Sequence, residues 1–226
     1  MKRSTFQFAA VKTLPICISY FFISFGLGII LAKGGWNWIF DLAMSLLIYT
    51  GAFQFVLASF MSAGASVITC ILTALFMNSR QIFYGISFLD DFPKTGKWYP
   101  YMIHSLTDET YALYTSLEYP DGVSKPDAIV MIALLAHVSW LAGTVAGEFA
   151  GAFIPSTVQG IDFGLTALFI TIVMDQYKVK KNRKSVLIGA GVSLICLLLL
   201  GSDSFLLPSF ALTTGILFLE VRHERS

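Results

Sequence analysis

Asn78-Ser79-Arg80-Gln81 is a run of four polar residues inside an otherwise apolar stretch, residues 66–89. The whole stretch is about long enough to cross a bilayer as one helix. An arginine within such a helix costs about 2.5 to 3.5 kcal/mol on insertion scales. A chain keeps it where it faces a protein interior, a wet cavity or a ligand, or where it snorkels from a helix end to the headgroups. This stretch alone leaves both interpretations open.

The composition is that of a polytopic membrane protein. Of the 226 residues, 56% are hydrophobic and 13% are charged, whereas about 25% are charged in a soluble domain. A net charge of +1 offers no basic surface for nucleic acid. Three cysteines lie far apart inside apolar runs, a pattern without disulfide or metal-ligand spacing. The bilayer is therefore the expected environment.

The apolar runs predict an all-α protein of one domain, residues 1–226, with seven to eight hydrophobic segments. The expected segments are residues 14–32, 42–61, 66–89, 101–119, 128–153, 163–174, 186–200 and 205–221. Segments three and four are the candidates for a broken or re-entrant course, because each has a polar centre.

Segment four is the most polar of these runs. Its centre reads His104-Ser105-Leu106-Thr107-Asp108-Glu109-Thr110, which does not suit a lipid-facing helix. A re-entrant helix, a helix enclosed by protein and a helix at the interface all remain open. In segment two, Thr50 and Gln54 lie at i and i+4 on one face, where polar side chains either hold helices together or face a solute.

Glycines and basic residues give two further expectations. In segment five Gly143, Gly147 and Gly151 form one stripe, which allows another backbone to approach closely, in this chain or in a partner. The basic cluster at 178–184 and the basic C-terminal tail are expected in the cytoplasm. An inside N-terminus then requires segment four to cross. Otherwise the loop at 90–100 moves inside and the N-terminus outside. We favour the inside N-terminus.

A transport site needs polar groups within an apolar bundle and broken backbone that presents them. Asn78-Ser79-Arg80 is the expected break, and Thr107-Asp108-Glu109-Thr110 its counterpart. Arg80 can bind a substrate carboxylate in bidentate fashion, and Asp108 or Glu109 can accept an ammonium group or a proton. The alternative is a structural ion pair of Arg80 with Asp108 or Glu109, which needs no substrate.

His104 and His137 are candidates for proton coupling because histidine titrates near neutral pH; a packing role is the alternative for both. The chain has no zinc-protease helix motif, no nucleophile elbow and no phosphate-binding loop. We therefore predict no enzyme activity, no cofactor, no metal and no intrinsic ATP-driven pump.

Several stretches together resemble the AzlC/YgaZ family, the large subunit of branched-chain amino acid exporters. They follow the family order over about residues 14–176. They are Phe25-Gly26-Leu27-Gly28, Gly51-Ala52-Phe53-Gln54-Phe55, Asn78-Ser79-Arg80 with Tyr84-Gly85, Leu106-Thr107-Asp108-Glu109-Thr110, His137 through Trp140 to Gly143, and Gly160-Ile161-Asp162-Phe163 leading to Ala167-Leu168-Phe169.

The resemblance implies export of hydrophobic amino acids such as valine, leucine or isoleucine across the bacterial inner membrane. It also implies a second, small membrane subunit of the AzlD/YgaH type. The substrate would then lie between segments two, three and four, where Arg80 would bind the carboxylate and Asp108 or Glu109 the ammonium group, with further hydrogen bonds from Gln54, Asn78 and Thr107. A channel or a transporter of another solute and a purely structural membrane subunit are the rival functions.

Overall fold

The structure is a computed structural model that describes residues 3–154, 170, 173–174, 176–178, 180, 183–201 and 205–224. The regular secondary structure within these ranges is helical. It consists of α1 (Arg3–Lys33), α2 (Trp38–Leu47), α3 (Gly51–Ala63), α4 (Val67–Ile86), a 3₁₀ helix (Phe92–Trp98), α5 (Tyr99–His104), α6 (Asp108–Ser116), α7 (Lys125–Phe153), α8 (Arg183–Leu200) and α9 (Leu206–Glu224). Helices α1, α4, α7 and α8 are long and apolar enough to cross a membrane. The predicted all-α polytopic membrane fold is confirmed.

The chain divides into two compact units. One contains residues 1–64 and 78–159, and the other contains residues 65–77 and 160–226, so that α4 has residues in both. In the second unit α8 and α9 pack against each other. The sixth predicted segment, 163–174, lies largely outside the described residues. All site residues predicted from the sequence belong to the first unit, and the single-domain organisation stays a prediction.

Helices α1 and α7 pack side by side and run in the same direction. A Cβ added at Gly143 would lie 2.3 Å from the carbonyl oxygen of Phe21, and one added at Gly147 would lie 2.0 Å from that of Phe25. The contact advances by four residues on both helices, which makes them parallel. The glycine stripe therefore allows backbone-to-backbone packing within this chain.

Helix α1 begins well before the predicted first segment. Thr5, Ala9 and Thr13 follow one another at intervals of four residues, and each is fully buried. Small side chains on one stripe extend the close packing towards the N-terminus. The predicted start at residue 14 was wrong, since α1 begins at Arg3 and Pro15 lies inside it. Packing, rather than hydropathy, sets this helix end.

Helices α2 and α3 form a re-entrant hairpin, here the first hairpin, with residues 48–50 as the first tip. On α2, the Ser45 hydroxyl donates to Thr144 Oγ1 of α7 at 3.2 Å. On α3, Gln54 Nε2 donates to the same Ser45 hydroxyl oxygen at 3.3 Å. A continuous helix rises 1.5 Å per residue, so positions 45 and 54 would be too far apart to touch. The chain therefore turns back at the tip.

Helix α6 runs beside the second half of α4 in the same direction. Three contacts advance in step along the two helices. They are Arg80 with Asp108, Tyr84 with Tyr111 and Phe88 with Tyr114. At the last of these levels, the Tyr114 hydroxyl donates to the Ile129 carbonyl in the second turn of α7, at 3.1 Å. Helix α6 thus ends near the beginning of α7.

Helix α5 starts at the end of the bundle where α7 begins, and α6 returns to that end. The two helices therefore form the second hairpin, with residues 105–107 as the second tip. Lys125 Nζ, at the start of α7, binds Asp91 Oδ2 at 2.6 Å just before the 3₁₀ helix. Further along α7, the Tyr101 hydroxyl of α5 reaches His137 Nδ1 at 3.1 Å. Both arms return to one end of the bundle. Segment four is therefore re-entrant, one of the courses that its polarity left open.

The expected break in segment three is wrong. Helix α4 is continuous from Val67 to Ile86 and passes through Asn78 and Arg80 without interruption. The interrupted helix is segment two instead, at residues 48–50. A helix satisfies its own backbone hydrogen bonds, so polar side chains alone do not break it when neighbours can bind them. The expected loop at 90–100 is also largely helical.

The two hairpins change the expected topology. Ser4 Oγ donates to the Gly122 carbonyl at 3.4 Å, and Lys125 binds Asp91, so the N-terminus and the loop at 90–100 lie at one end of the bundle. We expected the N-terminus and the loop at 90–100 on opposite sides of the membrane. That expectation was wrong, because segment two, like segment four, turns back and does not cross. At the other end, the Lys33 ammonium donates to the Ile154 carbonyl. The inside N-terminus stays a prediction.

Candidate functional site

The two hairpins contact each other close to their tips. At the end of α5, His104 Nε2 lies 3.0 Å from the carbonyl oxygen of Leu46 on α2. The Tyr49 ring of the first tip lies 6.4 Å from the His104 ring. Half-helix ends that meet in this way present unpaired backbone groups and helix dipoles to a shared space.

His137 of α7 packs against both hairpins. Its ring stacks on Tyr49 at 4.0 Å between centroids. Its Nε2 lies 3.4 Å from the Ser45 carbonyl oxygen, and its Nδ1 lies 3.1 Å from the Tyr101 hydroxyl. A carbonyl only accepts hydrogen bonds, so Nε2 carries a proton and donates to Ser45, while the Tyr101 hydroxyl lies within hydrogen-bonding distance of both Nδ1 and the Ala133 carbonyl oxygen. This fully bonded geometry favours packing for His137; the coupling role stays a prediction.

Tyr20 of α1 holds the second tip. Its hydroxyl donates to Glu109 Oε2 at 2.6 Å and lies 2.6 Å from Thr107 Oγ1. Because the single hydroxyl hydrogen goes to the carboxylate, Thr107 is the donor in the second contact. Tyr20 is 3% exposed and also packs edge-on against Trp140 at 5.4 Å. Nothing in the sequence distinguishes Tyr20 from the other aromatic residues of an apolar helix, so it was not predicted as a site residue.

The start of α6 is stabilised by its own residues. Thr107 is the N-cap, and its hydroxyl accepts from the Thr110 amide at 3.3 Å. The Thr110 hydroxyl in turn accepts from the Thr107 amide at 2.9 Å. These reciprocal bonds satisfy two amides that a helix start leaves free. Asp108 and Glu109 follow in the first turn, where the helix dipole favours carboxylates.

Arg80 and Asp108 form the charged centre of the site. Arg80 lies on α4, and its Nη1 contacts Asp108 Oδ2 at 2.6 Å. The two side chains remain 49% and 36% exposed, respectively. The pair is the structural ion pair that the sequence offered as an alternative, and its exposure also leaves both groups accessible to a ligand.

Two other predicted site residues are associated with the first hairpin: Gln54 belongs to it, and Asn78 of α4 binds its tip. The Thr50 hydroxyl donates to Asn78 Oδ1 at 2.8 Å, which joins the first tip to α4. Gln54 is fully buried and binds Ser45, while its own Oε1 has no hydrogen-bond partner among the described residues. Within the described ranges, no hydrogen bond links Gln54 directly to Arg80 or Asp108. The predicted site is thus two polar clusters, one on each hairpin.

An apolar cavity of about 260 Å³ is lined by residues close in sequence to the ion pair, although Arg80 and Asp108 themselves do not line it. Gln81, the residue after Arg80, and Leu106, two residues before Asp108, both line it. The remaining lining residues are Ile82, Gly85, Ile86, Phe88, Leu89, Phe92, Tyr99 and Ile103. A charged pair next to an apolar cavity suits a ligand with a polar head and an aliphatic body.

Comparison with known proteins places these features in one family. Residues 15–154 match the family described as AzlC protein. This range contains both hairpins, α4 and all the site residues named above. The chain belongs to the AzlC family.

Proteins from several organisms align with most of the chain. The "Branched-chain amino acid transport protein AzlC" of Bacillus subtilis is 32% identical over 95% of this chain and 84% of its own length. An "Uncharacterized membrane protein" of Helicobacter pylori is 38% identical over 95% and 94%. The "Inner membrane protein YgaZ" of Escherichia coli is 30% identical over 79% and 76%. No solved structure matches. The chain is therefore a membrane protein of a transport family.

Proposed function

We propose that the chain is the large subunit of a secondary exporter of branched-chain amino acids in the bacterial inner membrane. It works with a small membrane subunit of the AzlD/YgaH type. The name of the Bacillus subtilis relative supports the substrate class. The absence of a nucleotide-binding motif from the sequence supports a secondary mechanism.

The observation that carries this proposal is the half-exposed Arg80–Asp108 pair. An amino acid presents one carboxylate and one ammonium group close together. The Arg80 guanidinium forms strong paired hydrogen bonds with the carboxylate, and Asp108 accepts the ammonium group. The zwitterion replaces each partner of the ion pair with a group of the same charge. Binding therefore leaves neither side chain as an unpaired charge in the membrane.

The cavity beside the pair accounts for an aliphatic side chain. Its lining is apolar apart from Gln81 and the Tyr99 hydroxyl. Isoleucine side chains dominate the part between α4 and α5. Moving one aliphatic side chain from water into such a cavity contributes about 1.5 to 3 kcal/mol. A polar amino acid gains nothing comparable there, which gives the selectivity for valine, leucine and isoleucine.

Other predicted residues support this site in defined ways. Asn78 connects the first tip to α4, and Thr107 caps the helix that begins at Asp108. Glu109 is bound by Tyr20, which leaves Asp108 as the carboxylate opposite Arg80. Gln54 keeps an unpaired carbonyl oxygen beside the first tip. His104, which contacts the first hairpin, remains a coupling candidate together with His137.

The test is amino-acid efflux from cells that lack their own exporters and are fed a valine- or leucine-containing dipeptide. We expect faster efflux when this chain is expressed together with its small subunit, and no increase with an empty vector. Unchanged efflux of all aliphatic amino acids, with both subunits present in the membrane, would overturn the assignment.

A charge exchange distinguishes substrate binding from a purely structural pair. Arg80→Ala should abolish efflux, while Lys94→Ala, a change at an exposed ion pair, should keep it. The double variant Arg80→Asp with Asp108→Arg restores an ion pair but reverses its direction. If the pair only supports the structure, the double variant transports normally. We expect it to reach the membrane and remain inactive.

A further inference from the structure

A second pair of acidic side chains lies between α2 and α7, away from Arg80 and Asp108. Asp41 of α2 is fully buried, and neither of its carboxylate oxygens receives a hydrogen bond from a donor among the described residues. Glu148 of α7 is partly buried, and its Oε2 is likewise without a donor.

The packing of the two helices places these residues opposite each other. Ser45 and Thr144 are joined by a hydrogen bond of 3.2 Å. Asp41 lies one turn before Ser45, and Glu148 lies one turn after Thr144. Because α2 and α7 run in opposite directions, one turn back on α2 faces one turn forward on α7. The pair is thus built into the contact between the first hairpin and α7.

No described cation compensates these carboxyl groups. The ion pairs formed among the described residues include neither of them. Asp41 is the only charged residue of α2, and α3 has none. At this end of α1, the Lys33 ammonium binds the Ile154 carbonyl. On α7, His137 lies three turns from Glu148 and binds Ser45 and Tyr101.

Two ionised carboxylates in contact repel each other, and burial penalises both charges. One proton shared between them removes the repulsion and creates the missing donor. We propose that Asp41 and Glu148 form a proton-binding site that couples export to proton movement, an inference that rests on the function proposed above.

The position of the site suggests how coupling operates. With the proton bound, Asp41 and Glu148 hold the outer arm of the first hairpin against α7. Loss of the proton leaves two facing negative charges, which push that arm away. The first tip at 48–50 is joined to the same arm and contacts His104 of the second hairpin through Leu46. Proton release therefore loosens the contact between the tips and opens the site.

The experiment measures protons and valine together. Purified large and small subunits are reconstituted in vesicles with a pH-sensitive dye inside, and proton and radiolabelled valine fluxes are recorded. We expect a fixed proton-to-valine ratio for the wild type. Asp41→Asn and Glu148→Gln should each lower the ratio by about tenfold or more, because neither variant can share a proton between two carboxyl groups. Asp127→Asn, an exposed acid on the same helix, should keep the wild-type ratio.

If the variants do not transport, infrared spectroscopy tests the proton site instead. A carboxylic acid that holds a proton at neutral pH gives a carbonyl stretching band distinct from that of a carboxylate. We expect this band in the wild type, and its loss in Asp41→Asn but not in Asp127→Asn. Absence of the band from the wild type, or an unchanged flux ratio in both acid variants, would overturn the proton site. Absence of valine flux in the wild type would overturn the exporter instead.

Discussion

The two re-entrant hairpins approach the same place from opposite ends of the bundle, but their tips differ in chemistry. The second tip leads directly into Asp108 and Glu109, and its helix start is capped by Thr107 and Thr110. The first tip carries no charge. Its N-cap residue Thr50 makes no capping bond and donates its hydroxyl to Asn78 instead.

This difference indicates that the two hairpins have different roles in transport. The second hairpin is fixed by Tyr20 and by its cap, so it can present carboxylates at a constant position. The first hairpin is held by neutral hydrogen bonds at its tip and by the acidic pair on its outer arm. A hairpin held by weak bonds and one titratable contact is suited to move. We therefore assign binding to the second hairpin and gating to the first.

The largest expected effect tests the charge at the second tip. Asp108→Asn removes the partner of Arg80 and leaves the guanidinium unpaired. An unpaired arginine within a membrane helix costs about 2.5 to 3.5 kcal/mol, so we expect valine efflux to fall by about a hundredfold. Thr50→Val at the first tip should lower efflux by tenfold or less, because a neutral hydrogen bond contributes about 1 kcal/mol. Equal effects would remove the distinction between the tips.

The next effect tests the support that both hairpins share. Gly147→Ala places a Cβ 2.0 Å from the Phe25 carbonyl oxygen, and neither backbone can move without separating α1 from α7. We expect a loss of stability of about 3 kcal/mol, the upper range for overpacking. Gly26→Ala is the matched control, because a Cβ there contacts nothing within 4 Å. Thermal unfolding in detergent measures both, and equal melting temperatures would contradict this packing.

A pair of tyrosine variants compares how the tips are held. Tyr20→Phe removes the hydrogen bond to Glu109, and a bond to a charged group contributes about 1.5 to 3 kcal/mol. Tyr49→Phe removes a buried hydroxyl that has no partner among the described residues, so stability should stay the same or rise slightly. Thermal unfolding of both variants is the measurement. Greater destabilisation by Tyr49→Phe would reverse the assignment of the fixed hairpin.

The smallest effect concerns the base of the second hairpin. Lys125 beside Asp91 lowers the pKa of that carboxyl below its ordinary value of 3.8. The folded state therefore binds a proton at Asp91 less readily than the unfolded state does. This contribution is present above pH 3.8 and is lost as the pH falls through the lowered pKa. For an ion pair of this exposure it is about 1 kcal/mol or less.

Thermal unfolding of the wild type and Asp91→Asn across acidic pH measures this contribution. We expect the difference in melting temperature to be small near neutral pH and to vanish in acid. A difference that grew as the pH fell would contradict the ion pair.

Hydropathy predicted the spanning helices well but could not recognise the first hairpin. Residues 42–61 read as one apolar run because a window averages over two half-helices and the three residues between them. Thr50 and Gln54 marked the place, yet side chains of this kind also occur in unbroken helices. Only the bond between Gln54 and Ser45, nine residues apart, shows that the chain reverses.

The charged residues were predictable as a group, but not their individual partners. Arg80, Asp108 and Glu109 stand out because charge is rare in apolar segments. Which carboxylate faces Arg80 depends on the direction of α6. Tyr20 binds the other carboxylate, but nothing in the sequence distinguishes it from other aromatic residues of apolar segments. Asp41 was missed because the predicted segment began at residue 42, whereas α2 begins at Trp38.

Binding of radiolabelled valine to the purified two-subunit protein measures whether Arg80 and Asp108 hold the substrate. We expect saturable binding to the wild type that unlabelled leucine and isoleucine displace and serine does not. Arg80→Ala and Asp108→Asn should each abolish binding, while Lys94→Ala should bind like the wild type. Wild-type affinity in Arg80→Ala would show that the substrate does not bind at the Arg80–Asp108 pair.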